Sequence, residues 1–164
     1  MLSVIEKMIF LKSVSFFREM TVNHLKTLAS VCEEMLFPEE TTILSEGDPG
    51  GTLYMIVSGR VSIEQTNAVR QSLRLNLLES RGHFGEDTLF DNSPSPTSAI
   101  TLQDTLTLQI SHQPLALLMQ QYPGIALHFL QTLSKRMQAI DEQIADLSRA
   151  HSRPMHKVYD KLDF

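Results

Sequence analysis

At 164 residues, 42% hydrophobic and 20% charged, the chain has the size and composition of one soluble globular domain that can bury a core without staples. A net charge of −5 offers no basic field to nucleic acid or to an anionic membrane surface. The single cysteine, Cys32, excludes an intramolecular disulfide and fits a reducing cytoplasm.

Residues 1–34 carry helical spacing. Ile5, Met8 and Ile9 form a short apolar stripe, and Glu6, Lys7 and Lys12 interrupt it too early for a signal-peptide core. Phe16 and Phe17 are expected to tuck this stripe against the second helix. Thr21 reads as the N-cap of that helix, along which Leu25, Leu28, Val31 and Cys32 recur on one face, with Cys32 in the core.

Residues 35–111 change to the period of short strands: Thr41 to Leu44, Thr52 to Ser58, Val61 to Gln65, Leu73 to Leu78 and Thr105 to Ser111. Leu53, Met55 and Val57 alternate onto one face, and Gly47, Gly51 and Gly59 permit positive φ at corners. Asp48-Pro49-Gly50 places Pro and Gly as a type II turn wants them, and Ser58-Gly59-Arg60 is expected to close a hairpin. Short strands at this spacing predict an α+β protein built on a jelly-roll-like β-roll of about eight strands, not βαβ units.

Residues 112–150 return to helical spacing. His112 to Gln121 predicts one short helix, ended at Tyr122-Pro123, with Pro123 opening the next. That long helix carries an a/d heptad, Ala126, Leu130, Leu133, Met137, Ile140, Ile144 and Leu147, over about 25 residues or roughly 40 Å. Its first half is expected to pack on the chain's own β-roll, and Met137, Ile140, Ile144 and Leu147 to pair with a second copy in a homodimer. From Thr105 to Ser134 no Asp, Glu, Lys or Arg occurs, yet glutamines, Pro123 and Gly124 punctuate the stretch and exclude a membrane span. The tail, residues 151–164, has no clear period and is expected to fray.

Two motifs sharpen this outline. Glu46 to Val61, EGDPGGTLYMIVSGRV, resembles the EGD-x-x-x-x-LY-x-I-x-SG-x-V signature of cyclic-nucleotide-binding domains, the modules of bacterial catabolite activators and protein kinase A regulatory subunits. Phe84-Gly85-Glu86 with Leu89-Phe90 resembles that family's phosphate-binding cassette, FGE-x-x-L[LF]. The resemblance implies a regulatory module with cAMP or cGMP as its possible ligand. It also implies a short cassette helix whose N-terminal amides face the cyclic phosphate, with Glu86 on the ribose 2′-hydroxyl. The residues alone leave Glu86 the alternative of capping that helix with no ligand.

The chain departs from the family at one decisive position. The family places an Arg about nine residues beyond the Glu, after a Pro; here Pro94 matches but Ser95 takes the Arg position, and Pro96 removes the next N–H. Phe84, Gly85, Glu86, Ser95, Thr97 and Ser98 are therefore the candidate ligand contacts, with Arg81 a possible substitute cation. Ile140-Asp141 stands where a bacterial family member presents a Thr-Ser pair to adenine. His83 and Glu86 lack the His-x-His pairing of metal-binding rolls, so no metal is expected. No nucleophile–base pair or carboxylate dyad marks an enzyme. The chain closes within about fifteen residues of the long helix, which leaves no room for a helix-turn-helix, so no DNA binding is expected. The alternative to ligand sensing is a ligand-free dimerisation or interaction module of a larger assembly.

Overall fold

Ser3 starts the first helix, α1 (Val4–Ser13), through a capping box: its Oγ accepts the Glu6 amide, and the Glu6 carboxylate accepts the Ser3 amide at 2.7 Å. A 3₁₀ turn, Ser15–Phe17, drops Phe16 and Phe17 into the core, and Thr21 caps α2 (Val22–Val31) by accepting the His24 amide. Leu25, Leu28 and Ala29 form the buried face of α2. Cys32 comes next as a core residue, with burial pushing its thiol pKa up to about 12. The structure, a computed structural model, describes residues 1–159 and the side chains of residues 1–150. The chain divides into two units, Met1–Ile125 and Ala126–Phe164.

The rest of the first unit is built on eight strands: β1 (Glu33–Phe37), β2 (Thr42–Leu44), β3 (Thr52–Ser58), β4 (Val61–Thr66), β5 (Ser72–Leu78), β6 (His83–Phe84), β7 (Ser98–Thr101) and β8 (Thr105–Ser111). They form two antiparallel four-stranded sheets, ordered β1-β8-β3-β6 and β2-β7-β4-β5. Ile56, Val61, Phe84 and Ala99 are buried together as a core cluster, with Ile63, Leu78 and Tyr54 packed against it. The α+β class and the β-roll are as the sequence predicts.

Three local expectations need correcting. Ser58-Gly59-Arg60 does not close a hairpin: β3 pairs with β6 and β8, β4 with β5 and β7, so this corner carries the chain from one sheet to the other. The type II turn does not sit on Pro49-Gly50 either. The Asp48 amide donates to the Ser45 carbonyl at 3.0 Å with Gly47 at φ +87, which centres the turn on Glu46-Gly47 and frees Pro49 to bridge Pro94. On β3, Leu53 and Met55 are buried, but Ile56, not Val57, takes the next core place. The register of β3 against β8 shifts between Ile56 and Ser58, and such a bulge inverts the alternation. Gly47, Gly51 and Gly59 do take positive φ. A similar shift between β4 and β5 leaves Leu75 out of register, and Leu73, Leu75 and Leu77 remain exposed on the edge strand β5.

Two helices follow, α3 (His112–Gln121) and α4 (Pro123–Tyr159), with Pro123 at the first position of α4. α4 has 37 residues, about 55 Å at 1.5 Å per residue, and is longer than expected because it continues through Pro154. Proline costs a helix one N–H but already has a helical φ. The expectation of fraying at residues 160–164 lies outside the described residues. Leu130 of the heptad is largely exposed, and Phe129, one position off the stripe, is buried. Met137, Ile140, Ile144 and Leu147 are each more than half exposed. Among the described residues no helix is long and apolar enough to cross a membrane.

Candidate functional site

β6 delivers the cassette. Its Phe84 pairs with Tyr54 on β3, and the two rings stack with centroids 4.9 Å apart, which fixes where the chain leaves the sheet. Gly85 then turns at φ +87, and a Cβ there would collide with the Thr52 carbonyl oxygen, a backbone atom with nowhere to move. Gly85→Ala should therefore destabilise the fold by about 2–5 kcal/mol, the left-handed backbone and the overpacking adding together. The midpoint of urea denaturation measures this, and a shift worth under about 1 kcal/mol would show the corner to be adaptable.

Glu86–Thr88 forms a single 3₁₀ turn, shorter than the expected helix. The Glu86 carboxylate lies 3.7 Å from His83 Nε2 and is mostly buried. The Asp87 carboxyl is raised above its usual range, first by burial and next by the Glu86 charge, with Asp91 adding to it. Asp91 accepts the amide and hydroxyl of Ser93, which hold its own pKa low. Thr88 is buried against Gly50, and its hydroxyl has no hydrogen-bond partner among the described residues.

The return segment is strapped to the first motif. The Gly50 amide donates to the Ser93 carbonyl at 3.1 Å, the Ser95 amide to the Asp48 carbonyl at 2.8 Å and the Gly47 amide to the Ser95 carbonyl at 2.8 Å. The first motif and the segment that follows the second, with bonded residues more than forty apart in the chain, thus meet along one ladder. Ser95 is only 3% exposed, and its hydroxyl donates to the Thr97 carbonyl at 2.7 Å. Pro96 is exposed, with its carbonyl accepting from Gln65 Nε2 at 3.2 Å. Ser98 lies on β7 next to the core residue Ala99, so it faces the other side of the sheet, and its hydroxyl accepts the Glu46 amide at 2.9 Å.

Of the candidate contacts, Phe84, Gly85 and Glu86 are contiguous at the corner, and Ser95 and Thr97 are joined to each other in the strap. Ser98 is turned away from the core side. Arg81 sits on an exposed turn whose amide donates to Ile56, four residues along β3 from Thr52 beside Gly85, or roughly 13 Å. The other arginines between Glu33 and Ser134, a span with no lysine, are placed elsewhere. Arg60 pairs with Glu79 at 2.8 Å, Arg70 occupies the turn after Asn67, and Arg74 donates to Ser62 on the face of β4 opposite Val61 and Ile63. Among the described residues no group of three or more His, Cys, Asp or Glu could hold a metal ion.

Sequence patterns gave no sign of Asp87, whose burial comes from the fold, or of His112. The His112 amide donates to the Gly51 carbonyl, and its Nδ1 lies 2.9 Å from the Leu89 carbonyl, tying α3 to both motifs. No local motif announces either residue.

The family profile described as "Cyclic nucleotide-binding domain" matches residues 34–122. The chain belongs to that family. Among its relatives, the CRP-like cAMP-activated global transcriptional regulator of Mycobacterium tuberculosis is 30% identical over 111 residues, covering 68% of this chain and 50% of the relative. The crystal structure of the Thermus thermophilus catabolite activator protein superposes with a TM-score of 0.71 at 27% identity, covering 81% of this chain and 62% of that one. The N-terminal domain of a transcriptional regulator from Streptomyces coelicolor superposes with a TM-score of 0.75 at 22% identity, covering 81% and 95%. The chain thus spans between half and two thirds of the first two relatives, and it shares with the third the fold of one domain. A cyclic nucleotide-binding domain with these motifs is a regulatory domain by family, and its β-roll and long C-terminal helix are those of the solved structures.

Proposed function

We propose that this chain is a non-catalytic, cytoplasmic, ligand-sensing module that binds cAMP or cGMP weakly and works as a homodimer. The observation that carries the reading is Ser95. Counted from Glu86 it falls at the family's arginine position; it is buried and commits its hydroxyl to the Thr97 carbonyl. The corner that presents Gly85 and Glu86 is intact, which supports a ligand site; the missing guanidinium and the Pro96 nitrogen support its weakness. The charge of −5 supports a module that does not itself bind duplex DNA, although its relatives include transcriptional regulators. In calorimetric titrations cAMP and cGMP should bind with dissociation constants weaker than about 100 µM, where the free energy is under about 6 kcal/mol. Submicromolar binding would overturn the weakness.

One observation favours a second reading, a ligand-free interaction module. The strap holding Ser95 is completed by the chain's own backbone, through Gly47, Asp48 and Gly50, so the loop is ordered by itself. Absence of heat at millimolar nucleotide would decide for this reading.

A further inference from the structure

We propose that the cleft between α1 and α2 binds a medium-chain aliphatic carboxylate, its chain against Met8, Ile9, Val22 and Leu25 and its head group on Lys12. The site lies apart from the cassette and does not depend on what the cassette binds.

The fold uses only part of the apolar surface of its first two helices. Leu11, Phe16 and Phe17 enter the core, but Ile5 and Ile9 stay 65% and 63% exposed, and Val22 at the start of α2 stays 61% exposed. Between the helices lies a cleft of about 320 Å³, lined by Met8, Ile9, Lys12, Ser13, Val22 and Leu25. Small-molecule sites begin at about this size and share this make-up, an apolar lining with a few polar groups that fix orientation. An α-helix, about 10–12 Å across with its side chains, is too wide for such a cleft, whereas a single unbranched chain is not.

The polar groups of the cleft decide the head group. The Ser13 hydroxyl donates to the Phe10 carbonyl at 2.6 Å, so its proton is used. Lys12 Nζ donates to the Met20 carbonyl at 3.1 Å, which ties the end of α1 to the residue before the Thr21 cap and holds the ammonium there. That bond leaves two N–H donors of the ammonium, and Lys12 enters no ion pair among the described residues. A carboxylate accepts from both, in a charge-assisted pair. The other lysine of α1, Lys7, is committed to the Cys32 carbonyl and to Glu34. Residues 1–31 carry four Lys and Arg against two Glu, a locally positive segment in a chain of net charge −5. From Lys12 back to Ile5, along the exposed stripe, α1 rises about 10 Å, the span of about eight to ten carbons.

Amide chemical shifts of the full chain, titrated at low salt with octanoate and decanoate below micelle formation, test the proposal. One decanoate per chain should bind with a dissociation constant of about 1 mM or tighter, and octanoate about fourfold or more weakly. Ile9→Glu, an exposed position, should keep the denaturation midpoint and weaken decanoate more than about tenfold; Val22→Glu makes the same test from the opposite wall if that variant does not fold. Lys12→Met should weaken octanoate about threefold or more and leave 1-octanol within about twofold, because the alcohol has no charge to lose. Absence of decanoate binding, an affinity independent of chain length, or binding unmoved by a carboxylate in the wall overturns the site. Octanoate and octanol weakened alike by Lys12→Met overturns the role of the ammonium and with it the carboxylate.

Discussion

Aspartate in place of Ile140 or Ile144 should convert a dimer into a folded monomer. The stripe from Leu130 through Met137, Ile140 and Ile144 to Leu147 keeps to one seam of α4, at steps of seven, three, four and three residues, and each of these side chains is more than half exposed. Large apolar groups on a long helix do not stay in water without cost when a second copy can cover them: each buried Leu or Ile contributes about 1.5–3 kcal/mol. A symmetric helix pair would bring Ile140 and Ile144 against their counterparts, so one aspartate per chain buries two like charges in the seam. An unpaired buried charge costs about 3–5 kcal/mol, so the dimer should weaken by more than about a hundredfold. The β-roll, a separate unit with its own core, should keep its circular dichroism and its denaturation midpoint. Light scattering from micromolar to high-micromolar protein makes the measurement. A monomeric wild type, or a variant that dimerises as before, would refute the helix seam.

The parts of the fold that the sequence made legible are those where one local signal suffices. Thr21 caps α2, Pro123 opens α4, and Gly47, Gly51 and Gly59 sit at positive φ, each because its chemistry acts within a few residues. β1, β6 and β7 escaped because they are short or lack alternation; β6 has two residues and is a strand only by pairing with β3. The false hairpin at Gly59 has the same origin. A glycine corner between two strands reads alike whether they pair with each other or leave for different sheets, and that choice belongs to β8 and β7, which lie far along the chain. The cassette motif was legible as a string of residues. The strap from Ser93 to Gly50 and from Ser95 to Gly47 and Asp48 was not, because it is made of backbone groups common to every residue. Ser98 stood out in the sequence as a candidate ligand hydroxyl, and its bond to the Glu46 amide, 52 residues away, is a contact that only the fold reveals.

Ser95→Arg with Pro96→Ala should raise affinity for cAMP by about 2–5 kcal/mol, from roughly thirtyfold to several thousandfold. The backbone is prepared for it: Ser95 is held on both sides by Asp48 and Gly47, so a longer side chain inherits a fixed origin. Arginine supplies the planar charged fork that a phosphodiester accepts, and alanine restores the N–H at position 96. Two effects oppose the gain. Glu86 and Asp87 will pair with the new guanidinium when the pocket is empty, which draws the result toward the lower end of the range. The Ser95 side chain is buried, so the arginine must displace packing, and the denaturation midpoint has to be measured beside the titration. The gain should shrink as salt rises, because it is a gain in charge complementarity. A folded double variant with no gain would mean that the strap closes the pocket to any phosphate, and the fold would then serve as the ligand-free interaction module.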